Sequence, residues 1–360
     1  MKITQTRRQA LQTLGMGAAL TGWMTSAARA QPPSSSRIRI AQIGTGHGHA
    51  GKLSVYRQSP DYEVIGIAEP DPMLKQRAQK QAAYRDLPWM EVDELLNQPG
   101  LQAVLVETQV RDLLNTAEKC IAAGKHIHLD KPAGTSFPQF DRLLTRARQQ
   151  QLIVQLGYMY RYNPGALLIR EFQKQGWLGE IFEVHAVMSK LADPALRQEM
   201  AEFSGGMMFE LGCHLIDMIV TLLGAPEQVT PFLRHSSPIR DSLMDNCQAM
   251  LEYPRALASV VSSANEVDGG RRRHLVVCGT QATIQIQPLD NPGAVVTLLK
   301  PCGEYAAGTH TVKLPRFSRY IADAADMARI IRGEKENDFS YDHERNVQKT
   351  ILQASAMPLT

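Results

Sequence analysis

Three hundred and sixty residues, 44% apolar and 21% charged, are enough for two domains, each with a sizeable core. The formal charge of +3 is carried by Lys2, Arg7, Arg8 and Arg29 in a first stretch of 30 residues that holds no acid; beyond it 35 basic residues face 36 acidic ones, a balance of −1. A near-neutral body excludes an electrostatic nucleic-acid binder. Five cysteines (Cys120, Cys213, Cys247, Cys278 and Cys302), odd in number and without a CxxC pair, give neither a disulfide framework nor a zinc site.

Residues 1–30 read as an export signal. Arg7 and Arg8 are paired, and residues 10–24 form a modest apolar run. That run is shorter than the ~20 residues a membrane span needs, so no stable span is expected. Ala28-Arg29-Ala30 offers a cleavage site near Ala30, and residues 31–36 are a Pro/Ser linker. The pattern resembles a twin-arginine signal, which places the mature protein in the periplasm. Folding before export would let a bound cofactor travel with the chain.

The mature chain opens with an apolar strand, Ile38 to Ile43, that runs into Gly44-Thr45-Gly46-His47-Gly48-His49 and a helix-competent segment, 50–57. A strand, a glycine turn and a helix start form a dinucleotide-binding opening: Gly44 makes the turn, and Gly46 lets the backbone approach a pyrophosphate. The phosphate charge then falls on exposed N–H groups. His49 stands where a third glycine would ease packing. His47 and His49 are read as shaping the turn rather than as metal ligands.

Strand-like and helix-like segments alternate over residues 37–157, which predicts a parallel sheet with helices on both faces. The second strand, 62–68, ends at Glu69, placed for the ribose hydroxyls of a dinucleotide; an acid there repels a 2′-phosphate, so NAD is favoured over NADP. A surface glutamate at a strand end is the competing reading. Another strand, 103–106, leads to Glu107 and Thr108. The strand 125–129 ends in Asp130-Lys131-Pro132, which puts Lys131 in the crevice where such folds bind ligands.

Residues 158–360 change character. After a helix near 166–175 the segments are mostly strands: 181–187, 246–253, 257–263, 275–278, 283–287, 295–299 and 311–314, as in an antiparallel sheet. Two helices, 317–332 and 343–356, close the chain. Arg271-Arg272-Arg273 reads either as a solvated turn or as an anion or interface contact.

Between these strands lies Ser204-Gly205-Gly206-Met207-Met208-Phe209-Glu210-Leu211-Gly212-Cys213-His214-Leu215-Ile216-Asp217. If it is helical from Met207, then Glu210, His214 and Asp217 share one face. Two acids and a histidine on an apolar helix need a purpose or partners. A histidine oriented by a carboxylate can take a hydroxyl proton as hydride leaves; a buried structural network is the alternative, and a metal site lacks further ligands at a usual spacing.

Jointly these segments resemble the Gfo/Idh/MocA family, which includes glucose-fructose oxidoreductase and inositol dehydrogenases. Gly44-Thr45-Gly46 with Glu69 resembles its cofactor half. Ala122-Ala123-Gly124-Lys125-His126-Ile127-His128-Leu129-Asp130-Lys131-Pro132 resembles its A-G-K-H-V…E-K-P segment, Glu210 to Asp217 its D-x-G-x-H-x-x-D segment, and Gly279-Thr280-Gln281-Ala282 its late G-T-x-G turn. The resemblance implies a Rossmann domain followed by an α/β domain with an open, mainly antiparallel sheet that serves as a dimer or tetramer interface. It implies that Lys131 hydrogen-bonds the reacting oxygen, that His214 is the acid/base, and that Glu210 binds substrate or orients the histidine. Gly44, Thr45, Gly46, His47, Glu69, Thr108 and Lys131 are then the cofactor contacts, and Tyr160, Arg161 and Asp217 the substrate contacts.

Three departures from the family pattern stand out. Asp130 replaces a glutamate, Glu210 replaces an aspartate, and the loop from Thr108 to Leu113 lacks the T-P-x-x-x-H pattern, with Glu107 an unexpected charge just before it. The expected activity is an NAD-dependent oxidoreductase of a sugar, sugar derivative or cyclitol, with a tightly held cofactor. The alternative is redox-assisted cleavage by the same residues with no net redox change, and a third reading is a non-catalytic carbohydrate-binding module.

Overall fold

The computed structural model describes residues 37–360. The expected export signal and linker lie outside the described residues. Among the described residues no helix is long and apolar enough to cross a membrane.

The first sheet is parallel and five-stranded, in the order β2-β1-β3-β4-β5: β1 (Ile38–Ile43), β2 (Tyr62–Ala68), β3 (Ala103–Val106), β4 (His126–Leu129) and β5 (Val154–Leu156). Helices cover both faces, so the strands read as continuous apolar runs, and every residue of β3 is buried. Register decides what gathers at the C-terminal edge. Ile43 lies opposite Ala68 and Val106, and Val106 lies opposite Leu129. Gly44, Glu69, Glu107 and Asp130, one residue further on, therefore leave the sheet side by side.

Gly44 is required there twice over. Its φ is +91°, and a Cβ would stand 2.4 Å from the Thr108 nitrogen.

The second sheet has eight strands in the order β13-β12-β11-β10-β6-β9-β8-β7: β6 (Ile181–Val187), β7 (Gln228–Arg234), β8 (Asn246–Tyr253), β9 (Ala256–Ser263), β10 (His274–Gly279), β11 (Ala282–Ile286), β12 (Ala294–Leu298) and β13 (Gly308–Val312). Every neighbouring pair is antiparallel except β6 and β9, which run parallel at the centre. Strand β7, which carries Pro231, was not among the expected strands. The structure explains the proline: β7 is an edge strand, where a missing N–H costs no ladder bond. Helices Pro164–Lys174, Cys213–Leu223 and Tyr341–Ala354 pack on one face; the other leaves Phe182, Phe232 and Leu257 about half exposed.

The two sheets divide the chain near residue 158, but the helix Ile321–Ile331 returns to the first of them. Its Ala324, Met327 and Ala328 pack with Ile40, Tyr56 and Leu105, and the Tyr62 hydroxyl donates to the Ala324 carbonyl at 2.7 Å.

Candidate active site

A cavity of about 260 Å³ lies between the edge of the first sheet and the second domain. It is lined by the glycine turn from Gly46 to His49, by Lys131, and by Glu210, His214 and Tyr160.

Lys131 leaves the end of β4 and is almost wholly buried. Its Nζ donates to the Glu210 carbonyl at 2.9 Å and to Glu210 Oε1 at 3.1 Å. Burial works against the ammonium, but Glu210 foremost, together with Cys213 and Asp130, outweighs it and holds Lys131 above the ordinary lysine range. Lys131 is therefore a fixed cation in a partly dry site, where one donated hydrogen bond to a developing oxyanion has its largest effect.

The chain bearing Glu210 and His214 is not the regular helix expected. Met208–Gly212 form a π turn, and the regular α-helix Cys213–Leu223 follows it. The widened turn shifts the phase of Glu210 relative to the helix that follows. Glu210 reaches Lys131, His214 faces the cavity, and Asp217 turns away. No carboxylate orients His214: its Nδ1 is buried without a hydrogen-bond partner, and its ring is held by the Tyr160 ring at 5.0 Å and the Tyr158 ring at 6.1 Å. Burial first, and Lys131 second, push its pKa well below the usual histidine value, so the imidazole is neutral and ready to accept a proton.

Arg161 and Asp217, expected at the substrate, are committed elsewhere. Arg161 Nη2 donates to Asp217 Oδ1 at 2.6 Å, and its Nη1 donates to Glu344 Oε1 at 2.7 Å, with all three side chains buried. The cause lies in the partners: His214 and Asp217 stand about 60° apart around the axis of one regular helix, and the acid meets Arg161, which Glu344 also holds. Tyr160 does line the cavity, but its hydroxyl donates to Asp290 at 2.5 Å, an acid that Arg273 and Arg319 also hold. The triple arginine thus divides: Arg271 and Arg272 pair with Asp268 and Glu266 on the surface, while Arg273 enters the cavity wall.

Sequence reasoning missed the buried ionic cluster under the glycine turn. Lys52 Nζ lies 2.5 Å from Asp130 Oδ2, 3.0 Å from Glu107 Oε1 and 2.8 Å from His128 Nε2. Burial opposes its charge, but Asp130 and Glu107 raise its pKa above the lysine range. Burial and then Asp130 push Glu107 up, whereas His47, Lys52 and His49 overcome burial to hold Asp130 well down. The available signal was a pair of opposite charges, Lys52 and Glu107, each at the start or end of an apolar element.

His47 is fully used by the turn. Its Nδ1 accepts from the His49 N–H at 3.1 Å and its Nε2 meets the Lys131 carbonyl at 3.0 Å, which fits a neutral ring protonated on Nε2. The ring pins the glycine turn to the strand end that carries Lys131. His47, His49 and Asp130 offer ligand-type atoms within 4.8 Å of one another, but Lys52 on Asp130 sets a positive charge there that repels a metal ion.

The turn fits a dinucleotide. The Gly46 and Gly48 N–H groups make no hydrogen bond among the described residues, and nothing lies within 4 Å of a Cβ built on Gly48. The Thr108 Oγ1 is buried without a partner. Those free donors suit a pyrophosphate at a helix start. Glu69 Oε2 accepts from the Thr45 N–H at 2.6 Å and from its hydroxyl at 2.8 Å, so the expected ribose acid also braces the turn.

Comparison with known proteins agrees with this geometry. Residues 38–158 match the oxidoreductase family with an NAD-binding Rossmann fold, and residues 167–285 match the GFO/IDH/MocA C-terminal domain. The chain is 25% identical over 263 residues to the scyllo-inositol 2-dehydrogenase (NAD(+)) of Bacillus subtilis, across 70% of this chain and 75% of that one. It is 25% identical over 199 residues to the trans-1,2-dihydrobenzene-1,2-diol dehydrogenase of Macaca fascicularis, across 54% of this chain, and spans 58% of that relative's length. The solved structure of KijD10, a 3-ketoreductase from Actinomadura kijaniata in complex with TDP-benzene and NADP, has the same fold, with a TM-score of 0.70, 19% identity, and coverage of 88% of this chain and 96% of that one. With both halves matched in order, the chain belongs to the Gfo/Idh/MocA family of NAD-binding oxidoreductases, enzymes of CH–OH groups.

Proposed function

We propose that this protein oxidises a ring carbinol of a sugar, sugar derivative or cyclitol, or reduces the corresponding ketone, with a tightly held NAD. The observation that carries the reading is the pairing of a buried, charged Lys131 with a neutral His214 in one cavity beside the glycine turn. The Bacillus relative named for scyllo-inositol and NAD supports the substrate class and the cofactor.

Gly44, Thr45, Gly46, His47, Glu69, Thr108 and Lys131 would hold the dinucleotide, whose nicotinamide, when bound, supplies the hydride acceptor. Lys131 donates to the reacting oxygen and favours its alkoxide character. His214 takes the hydroxyl proton. Glu210 positions Lys131 rather than His214, because its hydrogen bonds go to the lysine. Replacement of an aspartate by this longer acid moves the carboxylate by one methylene and so bears on substrate choice.

Export through the 1–30 signal is part of the proposal, since a tightly held cofactor suits a compartment where free NAD is scarce. So is a dimer or tetramer through the open sheet, whose exposed Phe182, Phe232 and Leu257 favour a covered face. Denaturing the mature protein, purified from the periplasm, should release nicotinamide nucleotide in proportion to the chain; release of none sinks the tight-cofactor reading. A panel of hexoses, glycosides and inositols, followed by absorbance of the bound nicotinamide, tests the substrate class, and no response to any of them rejects it.

A second reading is favoured by a second imidazole in the cavity. Transient oxidation acidifies the neighbouring C–H bond, so that elimination can follow and the cofactor be restored. Cleavage products without net redox change distinguish this reaction from a simple dehydrogenase.

A further inference from the structure

We propose that His49, held by Asp130, is a second catalytic base in this cavity, placed to remove a proton from the substrate carbon next to the carbonyl. The proposal rests on the reading of the cavity as the site of carbinol oxidation.

Three imidazoles border the glycine turn and the helix opposite it, and they are not equivalent. His47 has both nitrogens occupied. His214 presents a base without a carboxylate partner. His49 combines the two requirements of a directed base. Its Nδ1 lies 3.1 Å from Asp130 Oδ1, and its Nε2 makes no hydrogen bond among the described residues while the ring lines the cavity. Donation from Nδ1–H to the carboxylate leaves the Nε2 lone pair directed at a bound ligand.

The carboxylate is itself fixed. Asp130 Oδ1 also accepts from the Lys131 N–H at 2.7 Å, and Lys52 sits on Oδ2. Asp130 is therefore a positioning residue that also stabilises the imidazolium once His49 is protonated. Burial lowers the His49 pKa to about 4 against the opposing pull of Asp130, so the ring is neutral before it acts. This accounts for a histidine where a helix start of this kind favours glycine: the bulk that packing disfavours carries a base.

The His49 and His214 rings stand 6.2 Å apart, inclined by 34°. A base that has already taken the hydroxyl proton cannot take another before releasing the first. Two proton transfers on neighbouring carbons therefore need two bases, each within about 3 Å of its own proton. In the step proposed, the C–H bond beside the ketone breaks, and its proton goes to His49 Nε2. The electron pair moves into the carbonyl, forming an enolate whose oxygen faces Lys131. Return of the proton reverses the step; loss of a group from the next carbon, with its bonding pair and the proton from His49, completes an elimination. No oxidant or reductant is consumed.

The test uses the purified full chain with its cofactor and two ketone probes, scyllo-inosose and methyl 3-keto-β-D-glucopyranoside, in D₂O. Proton NMR follows deuterium entry beside the carbonyl, and NADH oxidation by the same ketones is measured in parallel. The wild type should exchange at least one probe faster than buffer does. His49→Asn and His49→Gln should each slow exchange by about 10²-fold or more, and slow NADH oxidation by less. Glutamine keeps an N–H donor for Asp130 without a base, so a folded variant is available if asparagine disturbs the turn. Unchanged exchange, or an equal loss of both activities, overturns the proposal and leaves His49 a structural residue. NADH oxidation without exchange in the wild type overturns it alone, whereas neither activity on either ketone overturns the functional reading beneath it.

Discussion

Lys131→Ala should lower hydride transfer by about 10²–10³-fold, the loss expected when one preorganised donor to a developing oxyanion is removed. The variant should still fold, because the partner left behind, Glu210, is about one quarter exposed and can be rehydrated. It should also still release nicotinamide nucleotide on denaturation. A second consequence follows from the charge. Lys131 is, after burial, the largest influence depressing the His214 pKa. Without it the imidazole becomes easier to protonate, so the acidic limb of the kcat/KM profile should move to higher pH. Activity within tenfold of wild type, or an acidic limb that stays in place, would remove Lys131 from the reacting centre.

Arg161→Ala should be the most destabilising single change in the second layer. It would leave Asp217 and Glu344 buried together with no guanidinium between them, a defect of about 3–5 kcal/mol in buried ion pairs that lose one partner. In thermal unfolding that corresponds to a Tm lower by roughly 5–10 °C for a chain of this size. Replacing Arg161, Asp217 and Glu344 together by apolar residues of similar volume should cost less than the single substitution.

The sign of the pH dependence follows from Asp217. Burial would raise its pKa, but Arg161 overcomes this and lowers it. Its stabilisation is therefore fully present above the ordinary carboxylate value of about 3.9, and is lost as pH falls through the lower folded value. Without Arg161 the buried acid favours its neutral form instead. The stability gap between wild type and variant should therefore narrow from pH 7 toward pH 3. A gap that is constant across that range would mean the network carries no net charge coupling.

How much of this was legible depended on how far apart the cooperating residues lie in the chain. Gly44, Glu69 and Lys131 each follow a strand whose pattern is local, and the structure has all three at strand ends as the sequence indicated, whereas His214 was read within a continuous helix. The pairing of Arg161 with Asp217 and Glu344 was not legible, because three separate segments bring those charges together and none carries a mark of the others. The π turn was hidden for a different reason. Hydrophobic spacing over residues 207–217 is compatible with an unbroken helix, and only tertiary packing decides which turn widens. Strand β7 was not among the expected strands, because its place at the edge beside β8 is set by pairing that no local pattern marks. His49 was noted as an oddity; its partner Asp130 lies a full domain motif away, so its chemical role became visible only when the two met.

The parallel pairing of β6 with β9 bears on how the molecule is assembled. The other contacts in that sheet join strands near one another in the chain, except those of β6, which is separated from β9 by the whole stretch from Met188 to Arg255 and from β10 by the still longer stretch to Arg273. That stretch carries the π turn and His214. Closing so long a loop has to precede the contacts that reward it, which makes this pairing a slow, late event. The histidine is consequently held in its working position only after the two halves of the sheet have joined. A chain halted before that closure could possess a complete dinucleotide-binding half and still be inert.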